Sequence, residues 1–250
     1  GLGRLVDRLA GSLPAGVLRT GTTAAAVTRS GPGPEPWVVR TGSGDTLRAA
    51  AVVLALPAAA SARLLRELDP GLADQLAAIP YGSVATVNLA YARSAITHPL
   101  DGLGFVVPRS EGGTLVACTF SSVKFEGRAP ADGVLLRAFA AAGDGSDAAA
   151  LERETHAALA RLLGITAAPR IAQVRVWRGA MPRYAVGHGA RLAATETRLA
   201  DHPGLLLAGN GLRGVGLPDC VRGGERAAET VAAAVGWYPV RPAAAQGEAR

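Results

Sequence analysis

Hydrophobic positions along the chain follow two periods, and the places where the period changes divide it into pieces. Leu2, Leu5, Val6 and Leu9 share one helical face, which predicts a helix over Leu2–Leu13. Gly16 and Gly21 punctuate a turn into short predicted strands at Val17–Thr20 and Ala24–Arg29, and Gly31–Pro36 is a Pro/Gly loop. Trp37–Arg40 and Leu47–Leu56 read as strands around a hairpin turn at Gly42–Asp45. Within the second, Ala51–Leu56 is continuously apolar, the pattern of a strand buried on both faces. Pro57 ends it, and Ser61–Leu68 and Leu72–Ala78 return to helical spacing.

Pro80-Tyr81-Gly82 reads as a boundary, because the period beyond it shortens to that of strands: Val84–Tyr91, Gly104–Val107, Thr114–Phe120 and Val134–Phe139. The loop Gly143–Asp147 opens an amphipathic helix, Ala148–Leu163, which Gly164 stops. A strand at Ile171–Trp177, a helix near Ala190–Leu199, a buried strand at Leu205–Ala208 and a helix running through Arg226–Val235 follow. The tail Pro239–Arg250, rich in Ala, Pro and Gly, reads as mobile. Periodicity alone predicts a mixed α/β protein.

Composition narrows the classes. The 250 residues can bury a substantial core, and 49% hydrophobic with 18% charged residues describes a globular chain. The net charge of +6 is carried almost wholly by arginine, with Lys124 the single lysine. Arginine keeps its charge and grips carboxylates in bidentate fashion, which suits an acidic substrate. No basic run or aromatic interleaving points to nucleic acid. Cys118 and Cys220 stand far apart with no metal-ligand spacing, so neither zinc nor a disulfide framework is indicated, and reduced thiols in a cytoplasmic setting are expected. No stretch reaches the ~18 apolar residues that would span a bilayer.

The richest chemistry lies in Gly204–Gly224. An apolar strand runs into glycines at 209, 211, 214 and 216, and Pro218 and Asp219 suit the opening of a helix. A helix start presents unpaired N–H groups and the positive end of a dipole, where a phosphate or the charge on a reduced ring can be stabilised. A dinucleotide-binding turn of the Gly-x-Gly-x-x-Gly type is missing: no strand precedes Gly1-Leu2-Gly3, and Val6 stands where the third glycine belongs.

Leu207-Ala208-Gly209-Asn210, Arg213 through Cys220 (Arg-Gly-Val-Gly-Leu-Pro-Asp-Cys) and Gly223 closely resemble the C-terminal flavin segment of the protoporphyrinogen/coproporphyrinogen oxidases. Trp177, Met181-Pro182-Arg183-Tyr184 and Val186-Gly187-His188 match a second block of that family. Leu103 through Pro108, Ala117-Cys118-Thr119 and Ser122-Val123-Lys124 match a third. Gly3-Arg4-Leu5-Val6 and Ala55-Leu56-Pro57 also fit, so the resemblance runs from the first residue to about Val235.

The resemblance implies the C-terminal part of a Rossmann-like FAD-binding domain carrying an inserted substrate domain of mixed sheet and helix. Residues 1–79 and 177–236 would belong to the flavin domain, 80–176 to the insert, and 237–250 to the tail. It further implies FAD-dependent oxidation of coproporphyrinogen III or protoporphyrinogen IX in heme biosynthesis, with oxygen as acceptor. The chain reads as a half that lacks the pyrophosphate turn, and is expected to bind FAD weakly and be nearly inactive alone. By the same resemblance Val215, Gly216 and Leu217 face the flavin ring through backbone N–H groups, Trp177 lies beside the cofactor, and Ala24 touches its adenine side. Leu103 and Val106 line the tetrapyrrole cavity.

Each assignment has a plainer rival: a core aromatic for Trp177, core packing for Leu103 and Val106, and an ordinary ion pair for Arg183 or Arg213, either of which could meet a propionate. For His188, in a glycine-flanked loop, a structural role is favoured over acid–base catalysis, and no catalytic residue is assigned. Two other functions compete: a different flavin oxidoreductase, such as a desaturase or amine oxidase, and a non-catalytic porphyrin-binding module.

Overall fold

Two separately packed units form in the computed structural model, which describes residues 2–143 and 145–236. One unit consists of Gly1–Ile79 and the chain from Tyr184; the other is Pro80–Arg183. The expected tail, 237–250, lies outside the described residues.

In the first unit, α1 (Leu2–Gly11) is followed by an antiparallel meander of β1 (Ala24–Arg29), β2 (Trp37–Thr41) and β3 (Thr46–Ala49). β4 (Val52–Leu54), α2 (Ala58–Leu65) and α3 (Pro70–Ala77) come next. After the second unit the chain returns with α6 (His188–Ala200), β10 (Leu205–Leu207) and α7 (Leu217–Ala234). β10 pairs in parallel with β4, Leu205 opposite Val52 and Leu207 opposite Leu54. Trp37 is fully buried and its indole N–H donates to the Pro203 carbonyl at 3.3 Å, anchoring the meander to the turn that starts β10. Asp69 caps α3 by accepting from the Leu72 N–H at 2.9 Å. It also pairs with Arg198 at 3.0 Å and His202 at 3.1 Å, which ties α3 to the end of α6.

Three expectations are corrected here. Val17–Thr20 is a turn and not a strand, since Gly16 and Gly21 bracket it with φ of 80° and 72°. The predicted strand Leu47–Leu56 is two strands, because the chain leaves the meander at Ala50 and joins a different sheet. Ala51–Leu56 is not buried on both faces: Val53 and Leu56 are about 40% exposed, since β4 has β10 as its single neighbour among the described residues. The apolar face of α1 is likewise exposed along its length.

The second unit is an antiparallel sheet of five strands in the order β6 (Gly104–Val106), β7 (Leu115–Phe120), β8 (Gly133–Ala141), β5 (Tyr81–Ala92), β9 (Ile171–Pro182). A short helix, α4 (Ser121–Lys124), follows β7, and α5 (Ala148–Leu163) lies across one face. The period-2 pattern sorts the faces. Val87, Leu89, Tyr91, Cys118, Phe120, Leu136 and Ala138 pack with Leu159 and Leu163 of α5 into one core. Asp147 caps α5 through the N–H groups of Ala149 and Ala150, and Gly164 ends it in the left-handed conformation. Strand β9 carries this unit through Pro182, so the second crossing between units falls at 183/184, seven residues beyond the expected 176/177.

Candidate functional site

Strand β10 delivers the chain into the glycine-rich turn that opens α7. Gly214 has φ of 112°, and a Cβ there would overlap the Asp219 carboxyl group, so the turn needs glycine for conformation and for space. Asp219 sits in the first helical turn, accepts from the Gly216 N–H at 3.3 Å and pairs with Arg222. The N–H groups of Val215 and Leu217 donate to no other group among the described residues. Both residues are about half exposed. Two open donors at the positive end of an 18-residue helix form a site for an electron-rich or anionic edge.

A side-chain clamp shapes this turn. The Tyr184 hydroxyl donates to the Asn210 carbonyl at 2.6 Å and accepts from the Gly214 N–H at 2.8 Å, closing the loop from both ends. Its ring stacks on His188 with centroids 4.1 Å apart and planes 9° from parallel. His188 Nε2 lies 2.8 Å from the Leu212 carbonyl, and because a carbonyl can only accept, Nε2 carries the proton. His188 thus has a structural task in the geometry. Arg213 is held by Glu196, with Nε at 3.2 Å from Oε1.

In the second unit, the face of the sheet away from α5 is open. Register places Val106, Ala117, Phe139, Thr86 and Arg175 in one row, and Gly104, Thr119, Arg137, Asn88 and Gln173 in the next. Val84 pairs with Trp177 on the same face. Gly104 is required here: its φ is 142° and a Cβ would overlap the Cys118 carbonyl oxygen of the neighbouring strand. The Trp177 indole N–H donates to Thr86 Oγ1 at 3.1 Å, and the Arg175 guanidinium lies 4.3 Å from the centre of the Trp177 ring.

The residues expected to form sites are therefore distributed over both units. Val215, Gly216 and Leu217 are together at the start of α7. Ala24 opens β1 at an irregularity in its pairing with β2 and is half-buried. Trp177 and Val106 share the open sheet face, at its two edges, and Leu103 precedes β6 with its carbonyl accepting from Phe120 N at 3.0 Å. Core packing does not account for these three side chains: Leu103 is 61%, Val106 76% and Trp177 40% exposed. Arg183 folds its guanidinium against Gly82, where a Cβ would come within 2.6 Å of it. Arg137 and Arg175 were not singled out in the sequence, although both fall at polar positions of alternating strands.

Three shifted ionisations mark structural positions. Burial pushes the Cys118 thiol up to about 12. Tyr91 is raised first by burial, and its hydroxyl lies 2.9 Å from His156 Nδ1 of α5. Burial alone would raise Asp69, but the Leu72 N–H, His202 and Arg198 outweigh it and hold the carboxyl below the usual value. Among the described residues no cluster of His, Cys, Asp or Glu could hold a metal ion, and no helix is long and apolar enough to cross a membrane.

An α/β unit with a glycine-rich strand-to-helix turn, interrupted by an antiparallel sheet unit, is the architecture of flavin-dependent amine-oxidase-type enzymes, and comparisons with known proteins agree. The model of the flavin containing amine oxidoreductases matches residues 1–232, and the chain belongs to that family. FAD, expected from the sequence, accords with this membership. Coproporphyrinogen III oxidase of Propionibacterium freudenreichii is 38% identical over 250 residues, covering 97% of this chain and 46% of the relative. Coproporphyrinogen III oxidase of Bacillus subtilis is 30% identical over 233 residues, covering 91% and 48%. A crystal structure from Exiguobacterium sp. 255-15, whose name assigns it provisionally to the protoporphyrinogen oxidases, superposes with a TM-score of 0.77 at 27% identity, covering 94% of this chain and 51% of that one. The chain spans about half the length of the curated relatives it matches.

Proposed function

We propose that this chain supplies the flavin-ring end and the substrate sheet of an FAD-dependent porphyrinogen oxidase, which converts coproporphyrinogen III or protoporphyrinogen IX to the porphyrin with oxygen as final acceptor. The observation that carries this reading is the pair of open N–H donors at Val215 and Leu217, within a string shared with the porphyrinogen oxidases. Bound FAD supplies the acceptor for the hydride that leaves the macrocycle; a proton leaves with each hydride. The open N–H groups of Val215 and Leu217 would hold the edge of the ring where negative charge collects, and the dipole of α7 would favour that charge. The Tyr184–His188 clamp keeps those donors in place before any ligand arrives, so little ordering accompanies binding. Ala24 is assigned to the adenine side and Trp177 to the neighbourhood of the ring, while Leu103 and Val106 offer apolar surface to the tetrapyrrole.

The pyrophosphate-binding turn, absent from this sequence, is assigned to a further segment corresponding to the other half of the relatives' length. The visible spectrum of the purified chain, after incubation with FAD and gel filtration, tests the reading. Weak or no retained flavin is expected for the chain alone. Retention and porphyrin fluorescence from either porphyrinogen are expected once a segment carrying the Gly-x-Gly-x-x-Gly turn is supplied. Flavin retention with oxidation of an amine and none of a porphyrinogen would favour the amine-oxidase reading.

A further inference from the structure

The open face of the five-stranded sheet carries two arginines whose partners are neutral. Several arginines elsewhere are neutralised by carboxylates: Arg40 by Glu67, Arg66 by Asp74, Arg198 by Asp69, Arg213 by Glu196. On this face, Arg137 donates through Nε to the Asn88 amide oxygen at 2.8 Å, and Arg175 lies over the Trp177 ring. Among the described residues neither guanidinium forms an ion pair, and the paired rows that hold them contain no Asp or Glu. Neutral partners orient each cation without consuming its charge. Arg137 uses Nε alone in this bond, which leaves its two terminal nitrogens, the pair that can grip a carboxylate end-on, unengaged by Asn88.

The spacing is also informative. Arg137 on β8 and Arg175 on β9 flank β5, two strand spacings or about 10 Å apart across the sheet and two residues or about 7 Å apart along it. Between and beside them lie Thr86, Phe139, Ala117 and Val106, an uncharged strip that ends in a largely exposed valine. A flat apolar body can lie on this strip with acidic arms reaching each cation.

We infer that this face binds the macrocycle carboxylates, with Arg137 and Arg175 as the residues that select a polyacidic tetrapyrrole. The inference rests on the porphyrinogen reading above and adds to it the groups that recognise charge. Neither Arg183, held over Gly82, nor Arg213, held by Glu196, has that freedom.

Fluorescence titration of the chain with coproporphyrin III, and separately with its tetramethyl ester, tests it. The free acid should bind more tightly than the ester, and its affinity should fall with salt. Arg137→Gln and Arg175→Gln should each weaken the acid about tenfold and leave the ester unchanged, while the Lys variants recover part of the loss. Arg40→Gln, in the other unit and paired with Glu67, should change neither ligand. Both target side chains are exposed, and circular dichroism confirms that the variants fold. Equal affinity of acid and ester, or acid binding unaffected by both Gln substitutions, overturns the inference while leaving the flavin reading intact. No binding of either porphyrin also overturns it, whatever the FAD titration gives. No retained flavin even when the segment carrying the Gly-x-Gly-x-x-Gly turn is supplied, with the arginine dependence preserved, would instead remove the oxidase reading and leave a porphyrin-binding face.

Discussion

The start of α7 and the open sheet face are both proposed as ligand surfaces, but they are built from different material. The first uses backbone: N–H groups at Val215 and Leu217, a glycine whose conformation aims them, and a helix behind them. The second uses side chains that are far apart in sequence, Val106, Arg137, Arg175 and Trp177, brought to one face by strand register. A backbone site is a property of a contiguous string and tolerates change in most of its side chains. A register site exists only if every strand pairs in phase, because a slip of one residue moves its side chains to the other face.

The comparison can be broken most severely at the sheet. Gly104→Ala introduces a Cβ into the Cys118 carbonyl at a φ that alanine rarely adopts, and should destabilise the second unit by about 3 kcal/mol. Urea unfolding should show the loss, with weaker porphyrin binding from the displaced β6. The corresponding change at the turn is smaller. Tyr184→Phe removes both hydroxyl bonds that close the loop, at about 1.5 kcal/mol, while keeping the stack on His188. Hydrogen exchange at the Gly214 amide should accelerate about tenfold, with exchange in the sheet unit unchanged.

Asp69→Asn probes the scaffold behind the turn. The amide can still cap α3, but the charge facing Arg198 and His202 is gone, at about 1 kcal/mol near neutral pH. Because the native carboxyl sits below its ordinary value of 3.8, its contribution is present above that pH and disappears as pH falls through the lowered native value. The variant should therefore lose less stability on acidification than the parent in thermal melts from pH 6 downward (~pH 6 to 2). The smallest effect separates the two thiols. Cys118, buried in the sheet core and raised to about 12, should stay unreactive toward a disulfide reagent while the chain is folded. Cys220, half-buried in α7, should react first.

Legibility followed the same division. The strand, glycine turn and helix over residues 205–234 could be read directly, since each depends on neighbours in sequence. The helix of α5 was predicted with both its ends, because Asp147 and Gly164 act locally as caps. Leu47–Leu56 misled because its apolar content continues across the point where the chain changes sheets, and hydrophobicity carries no record of which strand lies alongside. Trp177 was placed with the flavin unit, yet it lies on a strand that stays in the sheet unit through Pro182. Arg137 and Arg175 passed unnoticed among many arginines. Nothing local distinguishes an arginine facing Glu67, as Arg40 does, from one facing an amide or an indole.

Local order thus belongs to the sequence: where elements start, where glycine must stand, and which string resembles the porphyrinogen oxidases. Tertiary structure chose the partners. It decided that Tyr184 closes the loop of Gly214, that Asp69 joins α3 to α6, and that two arginines from separate strands share a face without a carboxylate. The physical reason is range: caps and turns are set by groups a few residues apart, whereas register and charge pairing join groups tens of residues apart that meet only in the folded chain.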